Sequence, residues 1–270
     1  MPKLPRPVLS GAHFSRDPEP DAPRPLSRRA MWWEIALVFA ITLGMSGLRS
    51  LLSLLDSLTS PVPLASQSVT IVAPQAQADF LDLLRQLCSI ALGIAWGVLG
   101  VYLLWRGGVN LAERLGLRGG WRDVPPGLGL AALIGIPGLG LYMLSYALGF
   151  SLQIQAAALN DVWWRIPVLI LAALQNGVAE EFLVIGYLLT RLEQLRFPVV
   201  AMVAFSAVLR GSYHLYQGFG GFVGNLAMGV VFALVFLHWR RIWPLVIAHT
   251  LLDTVTFIGY PLAKSWGWVP

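Results

Sequence analysis

VWWRIPVLILAALQNGVAEEFLVIGYLLTRL, residues 162–192, is the stretch on which the reading of this chain turns. It is almost continuously apolar and long enough, at about 1.5 Å of rise per residue, to cross a hydrocarbon layer of about 30 Å as one helix. Two adjacent glutamates, Glu180 and Glu181, sit inside it. A carboxylate at mid-membrane costs roughly 2.5 to 3.5 kcal/mol on insertion scales, so a pair there points to a role.

Working outward, six more apolar runs flank this one: 31–55, 80–105 and 127–150 before it, then 197–214, 222–238 and 242–262 after it. The 270 residues are 56% hydrophobic and only 12% charged, with a mean hydropathy of +0.67. Soluble domains carry about 25% charge, so the composition excludes a soluble globule. The expectation is an all-α, polytopic membrane helical bundle of about seven spans. Its parts are a disordered cytoplasmic tail at 1–30, three N-terminal spans at 31–160, a four-span core at 161–262 and a short tail at 263–270. The N-terminal 30 residues hold no short apolar core with a small-residue cleavage site, so they read as a tail and not as a cleaved signal peptide.

Loop charges set the orientation. The N-terminal tail carries Lys3, Arg6, Arg16, Arg24, Arg28 and Arg29, and the connector at 56–79 carries no Lys or Arg. Arg106, Arg114, Arg118 and Arg122 follow the second span, none follows the third before Asp161, and Arg191 and Arg196 follow the fourth. The turn at 215–221 has none, and Arg240 and Arg241 join the last two spans. This alternation places the N-terminus inside. Most of the 11 tryptophans fall at span ends, as an interfacial belt requires. The net charge of +5 therefore reflects span ends and not a nucleic-acid partner. Arginine outnumbers lysine 17 to 2, a compositional mark of a GC-rich bacterial genome, so the expected location is a bacterial plasma membrane. Cys88, the only cysteine, supplies neither a disulfide nor a thiolate cluster and reads as a buried hydrophobe. Arg49, deep in the first span, is expected to pair with Glu34 or Asp56.

Glu180 and Glu181 stand about 100° apart on a helix, so both can border one cavity while only one faces a given point squarely. A carboxylate tuned by burial can take a proton from water and return it to a leaving amine. His214 ends the fifth run, with Arg210 four residues earlier on the same face and suited as a charge partner of the glutamates. His249 and Asp253 are also spaced i, i+4. That spacing lets Asp253 fix the histidine tautomer, or lets the pair serve as two ligands of a metal. Tyr213, Tyr216 and Gln217 flank His214 at a site mouth. Gly220 and Gly224 suggest close helix contact, with Asn225 either bridging helices or lining the cavity.

Glu180-Glu181, the helix from Phe205 to His214 and His249-x-x-x-Asp253 together resemble the three motifs of the CPBP intramembrane proteases. That family includes the type II CAAX prenyl endopeptidases and the bacteriocin-immunity (Abi) proteins, and the resemblance covers residues 165–260. It implies a helical intramembrane endopeptidase. Glu180 would activate the hydrolytic water. His214 and His249 would bind one divalent metal such as zinc, with Asp253 a further ligand, or would hold water and oxyanion directly. The chain departs from the motifs at Ile185, where an arginine is usual, and at Asp253, where asparagine is frequent.

Three functional classes fit these residues. The first is an endopeptidase acting on a membrane-associated peptide or protein, with Glu180 as base, His214 and His249 as stabilisers, Glu181 assisting and Asp253 orienting His249. The second is a catalytically idle immunity or scaffold protein, for which Ile185 speaks. The third is a proton-coupled carrier, since intramembrane Glu, His and Asp also form proton relays, although no internal repeat is visible.

Overall fold

The computed structural model describes residues 26–266. The tail expected at 1–30 lies outside the described residues up to position 25, as do residues 267–270 of the expected C-terminal tail. Helix α1 (Arg28–Ile41) begins at Ser27, whose hydroxyl accepts from the Ala30 amide at 3.2 Å. Helix α2 (Leu43–Thr59) continues it after a 49° bend at Thr42. There the Thr42 hydroxyl donates back to the Val38 carbonyl, and Gly44 packs where a Cβ would come within 2.5 Å of the Phe39 carbonyl oxygen. A side chain–backbone bond beside a glycine is a recognised cause of helix bending.

The connector after α2 is not merely a loop. Strand β1 (Ser68–Val72) lies within it, ahead of α3 (Asp79–Arg106), the short α4 (Leu111–Arg114) and α5 (Val124–Ala147). Strand β2 (Gln153–Ala157) then pairs in parallel with β1, Ser68 opposite Gln153 and Val72 opposite Ala157. Next come α6 (Arg165–Glu180), a wide π-helical turn (Glu181–Tyr187) and α7 (Leu188–Gln194), which together form one 30-residue rod. Helices α8 (Val199–Ser212), α9 (Phe219–Trp239) and α10 (Trp243–Thr254) come after it, then a second π-helical turn (Val255–Gly259) and α11 (Tyr260–Ser265).

Five of these rods are long and apolar enough to cross a membrane, or six if the bent α1–α2 pair is one span. The fifth expected span, at 197–214, falls short: α8 has 14 residues, about 21 Å at 1.5 Å each. The all-α bundle stands, with a smaller number of full spans.

The rod α6–α7 is the axis of the bundle. Of its most apolar window 61% is buried against the rest of the protein, compared with 11–28% for the other four long rods. Glycines bring neighbours onto it. A Cβ at Gly97 of α3 would sit 2.7 Å from the Val178 carbonyl oxygen, and one at Gly177 would sit 2.6 Å from the Thr250 hydroxyl of α10. Small residues at such crossings let backbones approach inside a membrane. Leu183, Ile185 and Leu189 of the rod are fully buried among Leu104, Leu115, Phe232, Phe236 and Leu245.

Ion pairs gather one end of the bundle. Glu193 takes Arg114 and Arg240, Asp123 takes Arg241 at 2.8 Å, and Arg28 donates to the Leu195 carbonyl. The basic loops that alternate along the sequence therefore share one end. The opposite end carries the β1–β2 pair and a bridge between Ser151 and Gly218.

Three smaller expectations change. Cys88 is exposed on α3 and not buried. Arg49 is exposed and forms no ion pair among the described residues, because Glu34 is taken by Arg191 at 2.8 Å. Asn225 donates to the Gly221 carbonyl of its own helix, neither bridging helices nor lining the cavity. Gly220 does mark close contact, since a Cβ there would fall 2.2 Å from the Ser145 hydroxyl, whereas Gly224 is in ordinary contact with Leu141.

Candidate active site

Three rods carry the site. α6 brings Asn176, Glu180 and, at the start of the π turn, Glu181. The end of α8 and the turn after it bring Arg210, Tyr213 and His214. α10 brings His249 and Asp253. The shortness of α8 matters here. A chain that crossed fully would carry His214 past the glutamates, whereas α8 ends at Ser212 against α2, where a Cβ on Gly47 would meet the Ser212 hydroxyl. The Tyr216 amide then donates to Ser50 of α2 at 2.7 Å, fixing the turn that holds Tyr213 and His214.

The two glutamates divide in direction. Glu181 is fully buried. One of its oxygens accepts from Arg210 Nη2 at 2.7 Å and from His249 Nδ1 at 2.6 Å. Glu180 Oε2 accepts from the Tyr213 hydroxyl at 2.7 Å and from Arg210 Nη1 at 3.3 Å. Its other oxygen has no protein donor among the described residues, and Glu180 lines a cavity of about 330 Å³ together with Asn176, Tyr213, His214 and Tyr216. One guanidinium, itself fully buried and lying 5.5 Å from the Phe232 ring centroid, thus serves both carboxylates. That placement supplies the positive charge for which Arg210 is the sequence candidate. Ile185, in the usual arginine position, faces the apolar core and not the site. Arg191 is committed elsewhere, to Glu34, Gln194 and the Leu103 carbonyl.

The histidine tautomers are set by their partners. His249 donates from Nδ1 to the Glu181 carboxylate, which turns Nε2 toward the space between Glu180 Oε2 (3.9 Å) and Asp253 Oδ2 (3.8 Å). His214 donates from Nδ1 to the Arg210 carbonyl at 3.0 Å, leaving Nε2 as a free acceptor. The bond expected between Asp253 and His249 is not made. Asp253 instead accepts from Asn176 of α6 at 2.7 Å, and Glu181 is the group that orients the ring. Sequence reasoning does not single out Asn176, although a signal for it exists: a polar residue in an apolar run, four positions before Glu180 and so on the same face.

The expected metal ligands do not form a chelating set. Among the described residues no three of His, Cys, Asp and Glu are grouped to hold an ion, although each histidine keeps Nε2 open while its Nδ1 is engaged. The Arg210 guanidinium occupies the place of a cation between the glutamates. Among the described residues this donor set makes no three-ligand metal site.

Chemically, the arrangement is a carboxylate with one oxygen restrained and one open, an acceptor imidazole beside it, and a second imidazole anchored by a buried carboxylate. No curated protein and no solved structure matches the chain. What does match is a family model: residues 162–255, from the start of the axial rod to the end of α10, are similar to the type II CAAX prenyl endopeptidase Rce1-like family.

Proposed function

We propose that the protein is an intramembrane endopeptidase of the bacterial plasma membrane, with its basic end in the cytoplasm, that hydrolyses a peptide bond of a membrane-associated substrate through a water activated by Glu180. The observation that carries this reading is the split environment of Glu180: Oε2 is pinned by Tyr213 and Arg210 while the other oxygen is open to the cavity it shares with His214. The similarity of residues 162–255 to a CAAX endopeptidase family supports the same reaction class.

In this mechanism water lies between Glu180 and His214. His214 Nε2 accepts one of its hydrogens and fixes its orientation, and Glu180 removes the other as the oxygen attacks the carbonyl carbon. His249, as an imidazolium anchored on Glu181, donates from Nε2 to the oxygen that becomes negative. The C–N bond then breaks, and the proton held by Glu180 passes to the departing amine. Asp253, held by Asn176, places its carboxylate 3.8 Å from His249 Nε2.

The test is hydrolysis of a peptide library by protein purified into proteoliposomes. Glu180→Gln is expected to abolish turnover while the protein still folds, and a chelator is expected to leave the wild-type rate intact. Unchanged turnover in Glu180→Gln would reject the mechanism, and loss of activity on chelation with recovery on added zinc would restore the metal ligands to it.

A further inference from the structure

The cavity has a direction. It runs from Glu180 along Ala179, Asn176, Gln175 and Ala172, the C-terminal half of α6 as far as its midpoint, and along Trp96, Ile90, Ser89 and Gln86 of α3, three of them in its first half. It ends at Ile71–Gln75, the end of β1 and the segment leading into α3. All of these lie toward the end that carries β1–β2, away from the end where Arg28, Arg114, Arg240 and Arg241 are tied to Leu195, Glu193 and Asp123. Basic loops mark the cytoplasmic face of a membrane protein. The mouth is therefore on the other side.

The lining also dictates what it takes. Apart from Glu180 the lining includes no Asp, Glu, Lys or Arg, so the interior offers no cation to a free carboxylate terminus; at the mouth Arg85 donates to the Gln75 carbonyl and Asp82 accepts from the Gln75 amide at 2.7 Å, so both are already engaged. It is instead rich in amides. Gln75 donates to Gln86 at 3.1 Å, Gln86 donates to the Ala73 carbonyl at 2.9 Å, and Ser89 donates to Gln75 at 3.2 Å, so this wall is pre-set. Gln175 opposite makes no hydrogen bond among the described residues. Its side chain lies over Gly93, where a Cβ would come within 2.2 Å of its nitrogen. A free amide, both donor and acceptor, held over a glycine and facing a cavity matches the N–H and C=O of a peptide backbone.

We propose that this cavity is an outward-opening subsite that takes an uncharged, extended stretch of peptide backbone from the face opposite the basic loops, with Gln175 as its principal anchor. Cleavage of the bound peptide rests on the peptidase reading; the sidedness of the mouth does not.

Sidedness is read without catalysis. In a Cys88→Ser background, Gln75→Cys, at the proposed mouth, is expected to react with a membrane-impermeant maleimide added to intact spheroplasts, and Arg118→Cys only in inverted vesicles. The reverse pattern overturns the proposal, whether or not any peptide is cleaved. The subsite is read with internal peptides carrying free or amidated C-termini, added to right-side-out vesicles. The two forms are expected to be cut alike, and a requirement for the free carboxylate overturns the proposal. Gln175→Ala is expected to raise KM about threefold to tenfold, the worth of one or two neutral hydrogen bonds, with kcat retained. An unchanged KM removes Gln175 from the subsite. If wild-type protein cuts nothing, affinity of the same peptides for the Glu180→Gln protein decides, and equal affinity with and without Gln175 overturns the proposal.

Discussion

Replacing either adjacent glutamate by glutamine removes one charge and almost no volume, yet the two variants are expected to fail in opposite ways. Glu181 has no exposed surface and makes two short bonds to groups that carry or share positive charge, Arg210 Nη2 at 2.7 Å and His249 Nδ1 at 2.6 Å. Hydrogen bonds to charged groups contribute about 1.5–3 kcal/mol each, and breaking a buried ion pair costs about 3–5 kcal/mol. Glu181→Gln keeps one acceptor oxygen, so a loss of about 3–4 kcal/mol is expected. At about 2–4 °C per kcal/mol for a chain of this size, that lowers the unfolding midpoint by roughly 6–16 °C. Glu180 keeps its 2.7 Å bond from Tyr213 as an amide, and its contact with Arg210 is already long at 3.3 Å. Glu180→Gln is therefore expected to cost only about 1 kcal/mol, or roughly 2–4 °C. Activity divides the other way. Loss of a general base removes about 10²- to 10⁴-fold from kcat, whereas Glu181→Gln leaves the base in place and weakens only the anchor of His249. The assay is a thermal unfolding curve in detergent beside initial rates in proteoliposomes, both normalised to folded protein. If Glu180→Gln is the variant that melts early, or turns over within tenfold of wild type, the division of labour inferred from the geometry is wrong.

Three other substitutions probe the surroundings of the pair. Tyr213→Phe removes the hydroxyl that restrains Glu180 and is expected to cost about 1 kcal/mol of stability and roughly tenfold in kcat, with KM little changed; a shift in KM alone would place Tyr213 in substrate binding instead. Ile185→Arg, which restores the arginine usual in the resembled motif, would put an unpaired guanidinium among Leu104, Leu115 and Phe236, so folded yield in detergent is expected to collapse with no gain in rate; a folded, faster enzyme would show that the position can reach the site. Arg191→Leu breaks the buried pair with Glu34 that ties α7 to α1 and is expected to cost about 3–5 kcal/mol, while the rate per folded molecule stays within about threefold because this network does not touch the cavity.

What the sequence made legible was whatever rests on composition and on charged residues in the wrong solvent. Apolar runs gave the rods, and Glu180, Glu181, Arg210, His249 and Asp253 stood out because hydrocarbon makes each of them costly. Hydropathy could not show where a rod stops serving as a span. The run at 197–214 is apolar up to Leu209 apart from Ser206, but its helix ends at Ser212 because packing on α2 and the turn at 215–217 end it there. Nor could it show β1 and β2, whose partners lie 85 residues apart and whose pairing leaves no local periodicity. Spacing proved a weak guide to partners. His249 and Asp253 share a face at i, i+4, yet each is claimed by the axial rod, His249 by Glu181 and Asp253 by Asn176. Once three rods converge, the nearest neighbour in space is on another rod.

Counted at about 1.5 Å per residue from the inner ends of the expected spans, near 192, 242 and 197, straight helices would set Glu180 about 18 Å deep, His249 about 10 Å and His214 about 25 Å, a mismatch that the rods resolve by departing from regularity. The axial rod changes from α to π geometry at Glu181, immediately after Glu180, and α10 does the same at Val255, two residues after Asp253. π turns are rare, carry a local cost, and recur at functional sites because the widened turn re-aims side chains. Here one of them lies at the acidic pair and the other beyond the His249–Asp253 pair. In a regular helix, adjacent residues point about 100° apart, which already sends Glu180 toward the cavity and Glu181 toward α8 and α10. A single guanidinium from the end of a shortened helix then reaches both. The adjacent pair is therefore not a redundant doubling of one acid. One carboxylate holds the helices and the histidine in place, and that placement leaves the other with an oxygen facing the cavity.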